Sequence, residues 1–182
     1  MVSPIFIVAG SLGGAFLLGL LHDSWRAASY TITLLVLACT TWLAASWVWA
    51  LSSGAALPVE ILTAGTEPPF AVNLRMGIGE AAMVLLINVT GLLSALYLKD
   101  TLFKQGRRAM AVLLIFSMAL GGIVMTRDLF NLFVFFELAV ISTGGLILLS
   151  RDEHALAAGF KYLVASQVVS ILMLVGIIFA YH

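Results

Sequence analysis

Apolar runs long enough to cross a bilayer recur six times in these 182 residues, at about 3–21, 29–51, 78–98, 108–125, 129–149 and 157–180. Hydrocarbon offers no partner to a backbone N–H or C=O, so a chain built this way can only form helices or a closed barrel there. Runs of about 20 residues fit the helix, which rises 1.5 Å per residue and must cover roughly 30 Å. Composition agrees. Hydrophobic residues make up 62% of the chain and charged ones 10%, with a mean hydropathy of +1.12, whereas soluble domains carry about 25% charged residues. The expectation is an all-α integral membrane protein with six transmembrane helices, forming a single unit over residues 1–182. The first run has the length of a signal peptide, but no Lys or Arg precedes it and no convincing cleavage site follows, so it reads as a retained helix.

The connections are short except the one between the second and third runs. Leu57-Pro-Val-Glu-Ile-Leu is followed by Thr63-Ala-Gly-Thr-Glu-Pro-Pro69 and then Phe70-Ala-Val-Asn-Leu-Arg-Met76, with apolar residues at 70, 72, 74 and 76. Period-two alternation after a Gly and Pro cluster predicts a β-hairpin over about 57–76, lying at the membrane surface. An irregular loop is the alternative. Basic residues set the orientation. Arg26, then Lys99, Lys104, Arg107 and Arg108, then Arg151 lie in the connections after the first, third and fifth runs, against Arg75 and Arg127 after the second and fourth. The positive-inside rule places the first group in the cytoplasm, so both termini and the hairpin are expected outside.

Three ionisable residues fall within the spans: Glu137, Glu80 and Lys161. Glu137 is the deepest, nine residues past Asp128 and so about 13 Å along the fifth helix. A charge at a helix centre costs about 2.5–3.5 kcal/mol to insert, so such a group normally faces protein or water and has a partner. One reading is a protonated carboxyl serving as interhelical glue. The other is a proton relay, loaded or emptied as a nearby cation leaves or arrives. Glu80 and Lys161 each lie about a turn inside a span, where a long side chain can snorkel to the interface, and both are secondary candidates.

Other polar features are weaker. Asn88, Gly91 and Ala95 continue the face of Glu80 and suit close helix packing. Ser166, Gln167 and Ser170 could hold water near Lys161 or bond to a neighbouring helix. Gly10 and Gly14 form a GxxxG, a common accident in apolar helices. Arg127 and Asp128 could gate the fifth helix, but a cap at its N-terminus is the better expectation. Cys39, the one cysteine, is expected to be a small core residue. The chain has no HExxH, CxxC, phosphate loop or nucleophile elbow, and His22, His154 and His182 lie at helix ends or the terminus. Hence no metal site, cofactor or catalytic centre is expected, and nine basic residues against nine acidic give no pointer to nucleic acid.

The string Arg127-Asp-Leu-Phe-Asn-Leu-Phe-Val-Phe-Phe-Glu-Leu-Ala-Val-Ile-Ser142 resembles the fifth membrane helix of the antiporter-like subunits shared by Mrp cation/proton antiporters, membrane-bound hydrogenases and respiratory complex I. Glu67-Pro-Pro-Phe-Ala-Val-Asn-Leu, Phe160-Lys-Tyr-Leu-Val and Gly176-Ile-Ile-Phe-Ala-Tyr181 agree in order and spacing. The likeness is greatest to the Mrp D subunit and its hydrogenase relatives. It implies that Glu137 corresponds to the glutamate on which proton transfer depends, that the hairpin is a family feature, and that the setting is a prokaryotic plasma membrane. It also implies about fourteen helices in two inverted repeats, with a lysine on a broken seventh helix as the partner of Glu137. Lys161 is not that residue.

The expectation is therefore a membrane subunit of a proton- or cation-translocating complex, the front half of a split antiporter-like subunit, among other membrane subunits and lipid. One of those subunits would supply the missing lysine. An Mrp-like assembly would exchange sodium for protons; a hydrogenase- or complex I-like one would leave the redox chemistry to other subunits. The alternatives are a truncated, non-conducting paralogue acting as a scaffold and a stand-alone small transporter.

Overall fold

The computed structural model describes residues 2–22, 24–62, 73–149 and 153–181. Its elements in chain order are α1 (Ile5–Leu20), α2 (Arg26–Ser52), β1 (Val59–Leu62), β2 (Asn73–Met76), α3 (Ile78–Tyr97), α4 (Lys99–Gln105), α5 (Arg107–Met125), α6 (Leu129–Leu148) and α7 (Glu153–Ala180). Five helices, α2, α3, α5, α6 and α7, are long and apolar enough to cross a membrane. The chain is a multi-pass membrane protein. The count of five differs from the expected six because α1 has 16 residues, about 24 Å of helix. Pro4 precedes it, and Leu21 turns extended at its end.

Hydropathy alone does not find α4. Lys99-Asp-Thr-Leu-Phe-Lys-Gln105 is too charged for a membrane window, but Leu102 is 4% exposed and packs in the core. Gly106 adopts φ +81, which a residue without Cβ tolerates, and breaks the chain between α4 and α5.

Packing centres on α5. It lies against α1, α2, α3, α4, α6 and β2, whereas α7 packs chiefly on α6. One core cluster joins Leu18, Leu37, Ala95, Leu102, Met110 and Leu114 towards the α4 end. A second joins Ile7, Trp47, Leu74, Met76, Val84 and Met125 towards the hairpin end. Apolar side chains gain little by leaving lipid for protein, so close backbone approach and van der Waals contact hold such helices together. At Gly122 an added Cβ would fall into the Phe135 ring of α6, and at Gly144 into the Leu163 side chain of α7. Gly14 faces Val36 of α2 and Gly10 faces Thr40. The GxxxG of α1 is thus a packing face, a correction to its reading as an accident. The stripe on α3 packs as expected, with Asn88 2% and Ala95 0% exposed. Cys39 is exposed, not in the core: it lies on the outward side of α2, which a spanning helix turns to lipid.

β1 and β2 pair antiparallel, Val59 opposite Met76 and Leu62 opposite Asn73. Leu74 and Met76 point into the bundle and Asn73 and Arg75 do not, the alternation read from sequence. The turn, with Phe70 and Val72, lies outside the described residues. The second edge of β2 is tied to the α5–α6 connection: Leu74 forms a bridge with Thr126, and the Arg127 N–H donates to the Asn73 carbonyl at 3.0 Å. This fastening sets where α6 starts.

Candidate functional site at the seam of α6 and α7

Asp128 begins α6. Its carboxylate accepts a hydrogen bond from the Asn131 N–H at 3.0 Å, occupying one of the amide groups that a helix start leaves without a partner. The Tyr181 hydroxyl, just past α7, donates to the other Asp128 oxygen. That bond, with some burial and the negative charge of Asp128, holds the Tyr181 phenol above its ordinary pKa. The beginning of α6 is thereby pinned to the end of α7.

Glu80 lies in the first turn of α3, and both its oxygens are engaged. Oε2 accepts from the Gly77 N–H at 3.1 Å, closing a capping box, and Oε1 accepts from the Arg127 guanidinium. The Arg127 side chain is 41% exposed and that of Glu80 is 16%. Solvent reaches the pair, so it joins α3 to the entrance of α6 at modest energy.

Glu137 sits eight residues into α6, about 12 Å along its axis. Its side chain is half-buried and turns towards α7, where Gln167 Nε2 donates to Glu137 Oε2 at 3.2 Å. Gln167 is near the middle of a 28-residue helix running antiparallel to α6, so the contact lies deep along both helices. Ser170, one turn further on, is 2% exposed and its hydroxyl has no protein partner among the described residues. Beside the pair, an apolar groove of about 260 Å³ runs between Phe136, Val140, Tyr162 and Val169.

Lys161 does not pair with Glu137. It is exposed and precedes Gln167 by six residues, about 9 Å along α7 and about 120° around it. The three ionisable residues singled out from sequence are therefore separated: Glu80 at one end of the bundle, Glu137 mid-depth, Lys161 towards the other end. Gln167, from sequence a possible water holder or cross-helix donor, is the direct partner of Glu137. The signal available was depth, since both residues are central in consecutive antiparallel spans. Among the described residues, no group of three or more His, Cys, Asp or Glu side chains could hold a metal ion.

Residues 126–182, from the bridge at Thr126 through Glu137 and α7, match the family described as NADH:quinone oxidoreductase/Mrp antiporter, TM. Over 117 residues, 63% of this chain, the sequence is 31% identical to the D subunit of the Na(+)/H(+) antiporter of Alkalihalophilus pseudofirmus, of which the match covers 24%. Among solved structures, a chain of the membrane-bound sulfane sulfur reductase, an archaeal respiratory membrane complex, superposes with a TM-score of 0.84 and 26% identity over 95% of this chain and 36% of that one. A chain of the Mrp complex from Dietzia sp. DQ12-45-1b superposes with a TM-score of 0.80 over 95% of this chain and 32% of that one, and at 21% identity shows the shared fold. The chain spans about a quarter of the curated relative and about a third of each structural one.

Proposed function

We propose that this chain, a homologue of the membrane subunits of Mrp- and complex I-type antiporter complexes, contributes a proton-relay residue, Glu137, to a translocating assembly. The observation that carries the reading is an acidic side chain in the middle of a spanning helix whose described partner, Gln167, is neutral. A carboxylate at that depth needs a cation or water to ionise. The buried Ser170 hydroxyl provides a polar neighbourhood for a water thread towards it, since buried polar atoms in such settings are commonly satisfied by ordered water.

The cation that switches Glu137 belongs to a segment outside these residues. In the split-subunit form of the proposal, that segment is a second polypeptide laid against α7, and this chain is the front half of the functional unit. Lys161 and Glu80 are secondary members towards the two ends of the path. In this proposal the chain's termini face outside, and the membrane is the plasma membrane of a prokaryote. Other membrane subunits and lipid surround it. The transported cation follows from the assembly it joins, as would any coupling to redox chemistry.

A scaffold is the second reading. It is favoured by the same Gln167 bond, because a protonated Glu137 can bridge α6 and α7 and conduct nothing. A structure of the intact assembly in lipid separates the two: the relay reading requires a Lys or Arg side chain within about 4–6 Å of Glu137 or an aqueous thread ending on it. Dry apolar packing around Glu137 would leave the scaffold.

A further inference from the structure

The antiparallel register of α6 and α7 is fixed along its length. Tyr181 meets Asp128, Leu163 fills the space beside Gly144, and Ile147 and Leu148 lie against Gly159. Carried along the seam, this register puts Ser170 opposite Glu137 and Gln167 one turn nearer the α4 end. Gln167 therefore approaches Glu137 from one side, and its Nε2 donates to a single carboxyl oxygen, Oε2, at 3.2 Å. Among the described residues no other side chain hydrogen-bonds Glu137 and no ion pair reaches it. Gln167 is on the exposed side of α7, which a spanning helix turns to lipid or to another protein segment. Hydrocarbon offers the carboxyl no competing donor, so the amide decides how it is oriented.

A glutamine donor has a property that lysine and histidine lack: its N–H does not titrate. It donates to a carboxylate oxygen and also to the carbonyl oxygen of a protonated carboxyl, so the bond survives both states of Glu137. With Oε2 held as the acceptor, the free oxygen is Oε1. We propose that Gln167 is the positioning residue of the relay, holding Oε2 in both protonation states so that Oε1 alone gains and loses the proton. This rests on the relay reading of Glu137. On loading, Oε1 accepts a proton from the water or cation which that reading requires, and on release it returns the proton there. The Gln167 bond is kept throughout, and no other bond forms or breaks.

Gln167→Met keeps the length of the side chain and removes the donor. In the purified full chain in lipid, infrared spectra at a pH low enough to protonate Glu137 give its carbonyl stretch as the band lost in Glu137→Gln. Gln167→Met should move that band to higher wavenumber, because a carbonyl freed from an N–H stretches at higher frequency. In vesicles carrying the intact complex, the same variant should lower proton-coupled cation transport roughly tenfold, the scale of one hydrogen bond to a charged group, with the composition of the complex unchanged. An unmoved band would show that Gln167 does not hold Oε2. A moved band with transport at the wild-type rate would reduce Gln167 to a packing contact, and loss of the complex would assign the bond to assembly; each of these overturns the proposal. Full transport in Glu137→Gln would instead remove the relay reading beneath it, so the two failures are told apart.

Discussion

α5 and α7 are both apolar enough to cross a bilayer, yet half of the α5 span is buried against other helices and only 11% of the α7 span is. Apolarity does not separate them, because in lipid it earns a helix entry to the membrane and not a place at the centre of the bundle. Small residues do. α5 buries Ala109, Ser117, Ala119, Gly121 and Gly122, which let five other helices approach. α7 offers Val168, Val169, Ile171, Leu172, Ile178 and Phe179 to its surroundings, each more than half exposed. Among the described residues, the one polar contact α7 makes at depth is Gln167 to Glu137. The candidate site therefore sits at the edge of the described bundle, where a further helix can reach it, and not inside the tightly packed α5 core.

Substitutions can sharpen or break this contrast. Leu114 of α5 is 0% exposed and Leu172 of α7 is 66% exposed. Leu114→Ala should leave a cavity and destabilise the purified chain by about 2–5 kcal/mol, whereas Leu172→Ala should change it by less than about 0.5 kcal/mol. Reversible unfolding in mixed micelles checks both, and equal costs would break the distinction between core and edge helices. Gly144→Leu at the α6–α7 seam should cost about 1–3 kcal/mol by overpacking against Leu163. Because α7 leans chiefly on α6, cross-linking between cysteines introduced at the two helices should fall in that variant while α5–α6 cross-links persist.

Tyr181→Phe should likewise stay within about 0.5 kcal/mol, because the tyrosine is half exposed. Its sign with pH is fixed. The phenol is held above its ordinary value, near 10, so the protonated form is the one the fold favours. Its contribution is complete below pH 10 and lost as pH rises through the raised value. The melting difference between wild type and Tyr181→Phe should be constant from pH 6 to about 9 and shrink at higher pH.

The long spans were legible because a hydropathy window measures what the bilayer demands. It places α3, α5 and α6 within a residue at each end, but starts α2 at 29 instead of Arg26 and α7 at 157 instead of Glu153. Helix continues there into polar sequence that an apolar window discards. α4 escaped for the same reason, although Leu102 and Phe103 amid charged residues, with Gly106 behind, are the marks of a short surface helix. At the site, the depth of Glu137 was readable, and so was the cap at Asp128. The pairing of Glu80 with Arg127, 47 residues away, was not, since it depends on β2 fastening the α5–α6 connection beside the start of α3. Cys39 shows the remaining gap: in a membrane helix an apolar neighbourhood in sequence does not tell a core face from a lipid face.

The relay role of Glu137 is tested most directly by proton-coupled cation transport, measured in membrane vesicles carrying the intact complex with Glu137→Gln. Glutamine keeps the size and hydrogen-bonding capacity of the side chain but cannot carry the proton. The account predicts an assembled complex of normal composition with transport abolished or strongly reduced. Full transport in that variant would contradict it.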